Sequence, residues 1–366
     1  MYRPSFIIGG IVAVATYSLL HYLVYARVAN GLELSAPRRL GLKIGLVLAA
    51  LSFLLALFCG HTSWGTPLLY VGATWFGLLA IAVTVLPVAW ILSLWRPERM
   101  RPITILALVV VMALAVYSLV NGSRRPVITD IRVSLEKLPA RLSGFTVVQL
   151  SDLHLGQPAP SERLSWIVEQ VNGMSPDLVV ITGDLIDRNI RRDSDSCQWL
   201  GGIKARYGVV AVAGNHDYYA GYDTFLQVAD VSGIAVLRNE RRLIAGAIQL
   251  VGIDEPAGRS YAEGGPDLDK ALAGSDPSLP VILLSHRPDT FDRAARRQVD
   301  LQLSGHAHAG QIPPIDLLVW LIYPYSFGHY EKGASRIYTT SGTGTWGPPM
   351  RLFSRNEIVR ITLVRE

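Results

Sequence analysis

Five apolar runs in the second half of the chain each stop at a side chain that binds divalent metal ions. Val147-Val148-Gln149-Leu150-Ser151 leads into Asp152-Leu153-His154, and Val179-Val180-Ile181-Thr182-Gly183 leads into Asp184-Leu185-Ile186-Asp187. Val209-Val210-Ala211-Val212-Ala213-Gly214 leads into Asn215-His216-Asp217. Val281-Ile282-Leu283-Leu284-Ser285 leads into His286, and Leu301-Gln302-Leu303-Ser304-Gly305 into His306-Ala307-His308. Carboxylate, carboxamide and imidazole suit Mn, Fe or Zn. A buried strand that ends in a tight turn carries its chemistry at the carboxyl end, as open α/β sheets do. One such run is matched by any strand followed by an Asp-containing turn. Recurrence in order, with Gly at three of the turns, points to a metal site instead, and Asp184 is read as the carboxylate that bridges two ions.

The elements that must hold these residues follow from pattern. From residue 145 onward, strands alternate with helical or loop stretches, which makes residues 145–366 an α/β domain. Ser161 can N-cap a helix running to Val171, with Trp166, Ile167 and Val171 on one face and Gly173 and Pro176 ending it. Residues 248–253 and 336–340 are further strand candidates, and residues 357–364 close the chain with an alternating strand. Residues 123–144 form a connector with Pro126 and Pro139, in which residues 128–133 alternate as a possible edge strand.

The first half is of another kind. Of the 366 residues, 50% are hydrophobic, and the apolar ones are concentrated before Asn121. Residues 6–25, 44–60, 68–94 and 103–120 each approach or exceed the roughly 20 residues that cross a bilayer core. Residues 1–122 are therefore expected to be a four-helix transmembrane domain. Pro87 would kink the third helix, a kink that neighbouring helices tolerate. The first stretch has one early Arg3 and no clear small-residue cleavage site, and it is read as a span, not as a cleaved signal. His21 and His61 are read as packing or interfacial residues. Arg27, Arg38, Arg39 and Lys43 lie between spans one and two, and Arg96, Arg99 and Arg101 between spans three and four. The loop between spans two and three has no Lys or Arg. The positive-inside rule then puts the catalytic half outside the cytoplasm, with Arg124 and Arg125 arguing mildly against.

The net charge of +5 does not call for nucleic acid, because many basic residues flank the apolar segments and no aromatic-basic groove pattern is present. The expected partner is the lipid bilayer. Cys59 and Cys197 are the two cysteines, neither in a Cys-x-x-Cys pair, so the metal site is expected to use N and O ligands.

Asp152-x-His154, Gly183-Asp184-x-x-Asp187, Gly214-Asn215-His216-Asp217, Ser285-His286 and Gly305-His306-x-His308 resemble the five motifs of the calcineurin-like metallophosphoesterases. The resemblance covers nearly all of residues 145–311. It implies a four-layer α-β-β-α sandwich with a dinuclear metal site at one edge. Gly342-Thr343-Gly344, Pro348, Arg351 and Asn356-Glu357-Ile358 resemble the membrane-associated bacterial branch, which includes UDP-2,3-diacylglucosamine pyrophosphatase-like hydrolases. His-Ala-His-Ala-Gly departs from that branch's His-Thr-His-Gly-Gly at Ala309, a turn position. Carried over, the first metal takes Asp152, His154, Asp184 and His308, and the second takes Asp184, Asn215, His286 and His306. Two ions about 3.5–4 Å apart can share a hydroxide and clamp a phosphoryl group. His216 is the implied general acid or charge stabiliser, oriented by Asp187. Arg188 matches a phosphate-binding position, and Asp217 is expected to sit behind the ligands.

The function expected is a membrane-anchored metal-dependent phosphohydrolase that cleaves a phosphodiester, phosphomonoester or pyrophosphate. The alternative is a membrane sensor or transport subunit with a regulatory metal domain, disfavoured by the near absence of ionisable residues in the spans. Residues 312–327, which include Trp320, Tyr323 and Tyr325, are far more apolar than an ordinary loop and too Pro-broken to span. They either pack into the core or form an apolar rim beside the metals, with Trp320 contacting a lipid-like phosphorylated substrate.

Overall fold

The computed structural model describes residues 4–59, 65–156, 161–187, 195–261 and 264–366. Two compact units account for it: residues 1–123 with 311–317 and 347–353, and residues 124–310 with 318–346 and 354–366.

The first unit is built on four helices, α1 (Pro4–Gly31), α2 (Ala36–Cys59), α3 (Gly65–Trp95) and α4 (Met100–Ser123). All four are long and apolar enough to cross a membrane. Each extends the expected span by a few residues, because helical hydrogen bonding continues into the flanking polar residues. α3 packs against each of the other three, and it buries Leu79, Ile81 and Leu86. The assigned helix runs through Pro87 without a break. His21 is buried in the bundle with both ring nitrogens engaged: Nδ1 lies 2.8 Å from the Tyr17 carbonyl, and Nε2 accepts from Trp75 Nε1 at 2.9 Å. That is the packing role expected of it; His61 lies outside the described residues.

Two short segments from late in the sequence complete this unit. Ile312, Met350 and Leu352 are buried in the same cluster as Leu79 and Val111. The Arg351 amide donates to the Ser118 carbonyl at 2.9 Å, and Asn121 Nδ2 donates to the Arg351 carbonyl at 2.9 Å. Hydropathy along the sequence does not reveal such segments, because their partners lie more than two hundred residues away.

The second unit has two six-stranded sheets. Its strands are β1 (Val127–Leu135), β2 (Phe145–Leu150), β3 (Leu178–Thr182), β4 (Val209–Val212), β5 (Ile234–Val236) and β6 (Glu240–Ile244). Then come β7 (Ile248–Gly252), β8 (Val281–Leu284), β9 (Leu301–Ser304), β10 (Gly328–Lys332), β11 (Ser335–Thr339) and β12 (Glu357–Arg365). One sheet has the order β1-β12-β2-β3-β4-β5, the other β10-β11-β9-β8-β7-β6. Both have a parallel centre, β2 to β5 in one and β7 to β9 with β11 in the other. β1 is an edge strand paired parallel to β12.

Strand alternation sorts the apolar side chains between layers. Val180, Val210 and Val212 from one sheet meet Leu250, Ile282, Leu284 and Leu303 from the other in one core. Val179, Ile181 and Ala211 point the opposite way, against α5 (Ser161–Gly173), α6 (Asp195–Gly201), α7 (Asn215–Ala220) and α8 (Tyr222–Val231). Val281 and Leu283 face α9 (Leu268–Leu272) and α10 (Phe291–Arg296). The result is the expected α-β-β-α sandwich. α5 begins at Ser161 as the sequence predicts and buries Ile167 and Val171.

Polar side chains pin the two sheets together. Gln149 Nε2 on β2 donates to Thr182 Oγ1 at 2.9 Å and to the Ser304 carbonyl on β9 at 3.0 Å. The buried Glu357 carboxylate on β12 accepts from Thr129 on β1, Tyr338 on β11, Thr340 Oγ1 and the Ser341 amide. A buried carboxylate is tolerable when donors surround it in this way. The last helix, α11 (Ile315–Ile322), has no buried residue.

Candidate metal centre

Because β2, β3 and β4 are parallel neighbours, their carboxyl ends deliver Asp152, His154, Asp184 and Asn215 to one edge of their sheet. β8 and β9 deliver His286, His306 and His308 in the same way from the other sheet. Asp152, Asp184, His154, His286 and His308 are all buried.

Two clusters form. In the first, Nε2 of His154 and Nε2 of His308 are 3.2 Å apart, and the latter is 3.3 Å from Asp152 Oδ1. In the second, His286 Nε2 is 3.2 Å from His306 Nδ1 and 3.2 Å from Asn215 Oδ1. Asp184 Oδ2 faces both, 3.3 Å from His286 Nε2 and 3.8 Å from His154 Nε2. The ligand atoms of Asp152, His154 and His308, and those of Asp184, His286 and His306, fall within 4.8 Å of one another in each set.

The donor chemistry fits divalent cations. Lone-pair nitrogens and carboxylate oxygens are crowded together with few protons to share among them. Burial disfavours a charge on His286, yet Asp184 and Asp152 outweigh burial and push its pKa up to about 10. Positive charge is thus demanded at this point by the carboxylates. His306 goes the other way: burial and the neighbouring His286 pull it down to about 3, which leaves a neutral ring with a lone pair. Burial also works against ionised Asp184, but His286, His154 and His216 hold it well below the usual carboxylate range.

The backbone is unusual at the same places. Asp152 (φ +54°), His154 (φ +48°), Asp184 (φ +50°), His306 (φ +68°) and His308 (φ +49°) all sit in the left-handed region. Non-glycine residues rarely do so, and each instance costs on the order of 1–3 kcal/mol. Three motif glycines make room. A Cβ on Gly183 would strike the His286 ring, one on Gly214 the Asp184 carboxylate and amide, and one on Gly305 the Ser151 and Asp152 side chains. Ala309 is also left-handed (φ +48°), so this turn takes Ala in a conformation that glycine adopts without strain.

His216 leads from this centre into α7. Its amide donates to Asp184 Oδ1 at 2.8 Å, and its Nδ1 lies 3.5 Å from Asp187 Oδ1. Burial lowers the His216 pKa, but Asp187 and Asp184 reverse the effect and leave it raised. Asp217 is fully buried and accepts from the Gly214 amide at 2.7 Å and the Ile186 amide at 2.9 Å, so it ties the turn after β3 to the turn after β4.

The sequence profile of the calcineurin-like phosphoesterase family matches residues 145–310, the stretch that holds every one of these side chains. An uncharacterized metallophosphoesterase of Campylobacter jejuni is 32% identical over 314 residues, which cover 80% of this chain and 83% of the relative. This chain is a calcineurin-like metallophosphoesterase. A Danio rerio protein named transmembrane protein with metallophosphoesterase domain is 39% identical over 272 residues, 71% of this chain and 62% of its own length. A Helicobacter pylori metallophosphoesterase is 37% identical over 246 residues, 67% of this chain and 65% of its own length. The match thus spans a little under two thirds of these two relatives.

The metallophosphoesterase fold brings together the seven expected ligands with His216 and Asp187. Arg188 lies outside the described residues. Trp320 is on α11 and exposed. Sequence reasoning placed Tyr323 in an apolar rim and missed its polar role. Its hydroxyl is 2.9 Å from His306 Nε2, and this contact orients the ring so that Nδ1 faces His286. It also missed Trp346, whose ring packs edge-on against His216 at 5.9 Å between centroids. An aromatic residue carries no signal of either contact, whether in an apolar run as Tyr323 is or in a Gly-Thr-Pro loop as Trp346 is.

Asp184→Asn should weaken metal binding at both clusters, because one carboxylate faces both. Elemental analysis of the purified variant should find well under the metal content of the parent chain. Full metal content in the variant would remove Asp184 from its bridging position.

Proposed function

We propose that the chain is a membrane-anchored metal-dependent phosphohydrolase acting on a phosphodiester, phosphomonoester or pyrophosphate bond. The observation that carries this reading is the pair of ligand clusters sharing Asp184. Asp152, His154, Asp184 and His308 would hold one divalent ion, and Asp184, Asn215, His286 and His306 a second, with Mn, Fe or Zn suited to the donors. Bound there, two such ions polarise a phosphoryl group and lower the pKa of water. His216 supplies a proton to the leaving oxygen, or positive charge beside it. Asp187 faces the imidazole Nδ1 at 3.5 Å, leaving Nε2 for the substrate. Tyr323 and Asp217 keep His306 and the two turns in position.

We further propose a lipid or lipid-linked substrate. α11 exposes Leu318 (53%), Trp320 (62%) and Leu321 (64%), whereas Ile312 at the start of the same run is buried. It ends one residue before Tyr323, the hydroxyl on His306. An exposed apolar helix leading to a phosphoesterase centre suits an amphipathic phosphoester. The tail motif that resembles the diacylglucosamine branch supports the same class. The charges of the loops at 27–43 and 96–101 support an extracytoplasmic catalytic unit.

His216→Asn should retain metal and lower kcat by on the order of 10²–10⁴, with a smaller loss on esters with good leaving groups. Asp187→Asn should move the alkaline limb of the pH–rate profile to lower pH. The protonated imidazole is the active form, and Asp187 is one of the groups that raise its pKa. Equal losses on good and poor leaving groups, with an unmoved alkaline limb, would refute the acid role.

Changing Leu318, Trp320 and Leu321 together to Ser should impair hydrolysis of a lipid phosphoester much more than that of bis-p-nitrophenyl phosphate. Equal loss on both would speak against lipid. A reporter fused after Glu366 should report an extracytoplasmic location; cytoplasmic fluorescence with protease resistance in spheroplasts would reverse the topology.

A further inference from the structure

We infer that Arg287 is the side chain with which this protein grips the non-bridging oxygens of its phosphoester substrate. The inference rests on the phosphohydrolase reading and adds to it a cation that the chain itself supplies. Arg287 directly follows His286 at the carboxyl end of β8, so its backbone is fixed beside the second ligand cluster. Its carbonyl accepts from Ser285 Oγ at 2.9 Å, which fixes the turn. The guanidinium carbon lies 5.4 Å from the centroid of the Tyr323 ring. That same ring is 5.2 Å from the His306 ring, centroid to centroid, and its hydroxyl is the one on His306 Nε2. A cation over an aromatic face is attracted to it, so the ring serves as a shelf that holds the guanidinium toward the cluster.

The arginine's hydrogen-bonding capacity is incompletely used. Nε is buried and makes no hydrogen bond among the described residues. One terminal nitrogen donates to Asp289 Oδ2 at 3.0 Å, and that carboxylate is 45% exposed. A partly exposed pair two residues apart contributes little and is readily given up. A phosphate is the better partner for the reachable terminal nitrogens, because the planar guanidinium matches two of its oxygens at once.

The test uses the full chain in detergent, loaded with Mn²⁺, beside Arg287→Ala and Arg287→Lys. Metal content is measured by elemental analysis, the affinity for inorganic phosphate by calorimetry, and hydrolysis with p-nitrophenyl phosphate and bis-p-nitrophenyl phosphate. Both variants should keep the parent metal content. Arg287→Ala should weaken phosphate binding roughly tenfold or more and raise KM more than it lowers kcat. Arg287→Lys should fall between, because it keeps the charge and loses the fork. Phosphate affinity within about twofold of the parent in a metal-replete Arg287→Ala, or a parent chain that binds no phosphate, would overturn the inference. Loss of metal in both variants would also overturn it, making Arg287 a support for Tyr323 and His306. If the parent hydrolyses neither ester while phosphate affinity still drops in the variants, the phosphohydrolase reading fails and the role of Arg287 stands.

Discussion

Everything in the catalytic unit answers to one constraint: two carboxylates and four imidazoles are crowded at a largely buried edge where their charges must be balanced by cations. Without such balance, burial of ionised Asp184 beside Asp152 would be strongly unfavourable. The arrangement handles this by alternating character. Asp184 keeps its negative charge, Asp184 and Asp152 draw positive charge to the place of the His286 ring, which a bound cation would supply, and the buried His306 stays neutral. The two histidines differ through a few ångströms of placement and not through residue type.

That placement is costly to the backbone. Five of the seven ligands occupy the left-handed region, and they do so because the chain must turn sharply as soon as each strand ends. The cost is offset by a scaffold that leaves little freedom. Each strand that carries a ligand is flanked by hydrogen-bonded neighbours and buried on both faces. Gln149 and Glu357 then fix one sheet against the other, so the two sets of strand ends meet in register. Thr343 and Gly344 close the arrangement from behind: their amides donate to the Ser151 and Asp152 carbonyls at 2.8 and 3.0 Å.

The apolar unit follows different physics. Its helices satisfy their own backbone, so apolar surface can face lipid at no hydrogen-bonding cost. Within it, polar groups are few, and some are paired, as at His21 and Trp75. Segments 311–317 and 347–353 join this unit although they flank catalytic sequence on either side. The turn after His308 is therefore followed almost at once by residues that belong with the helices.

Sequence alone showed the strands that end in metal-binding side chains, α5, the edge strand β1 and the four apolar helices, and through the family resemblance it pointed to seven candidate ligands and to the His216–Asp187 pair. Those features are local: a period of two or a long apolar run, followed by a metal-binding side chain or a loop charge, is written in consecutive residues. The short strands β5, β6 and β10 were not legible, since three to five residues with exposed or mixed side chains carry no clear period. Tertiary structure alone decided the rest. It set Tyr323 on His306, Trp346 beside His216, Arg287 over Tyr323, and Met350 and Ile312 among the helices. It also decided between core and surface for Leu318, Trp320 and Leu321, which it leaves exposed. In each case the partner is distant in sequence or absent altogether. An apolar or aromatic side chain looks the same in sequence whether it fills a core, faces solvent or steadies a ligand, and only the folded geometry distinguishes the three.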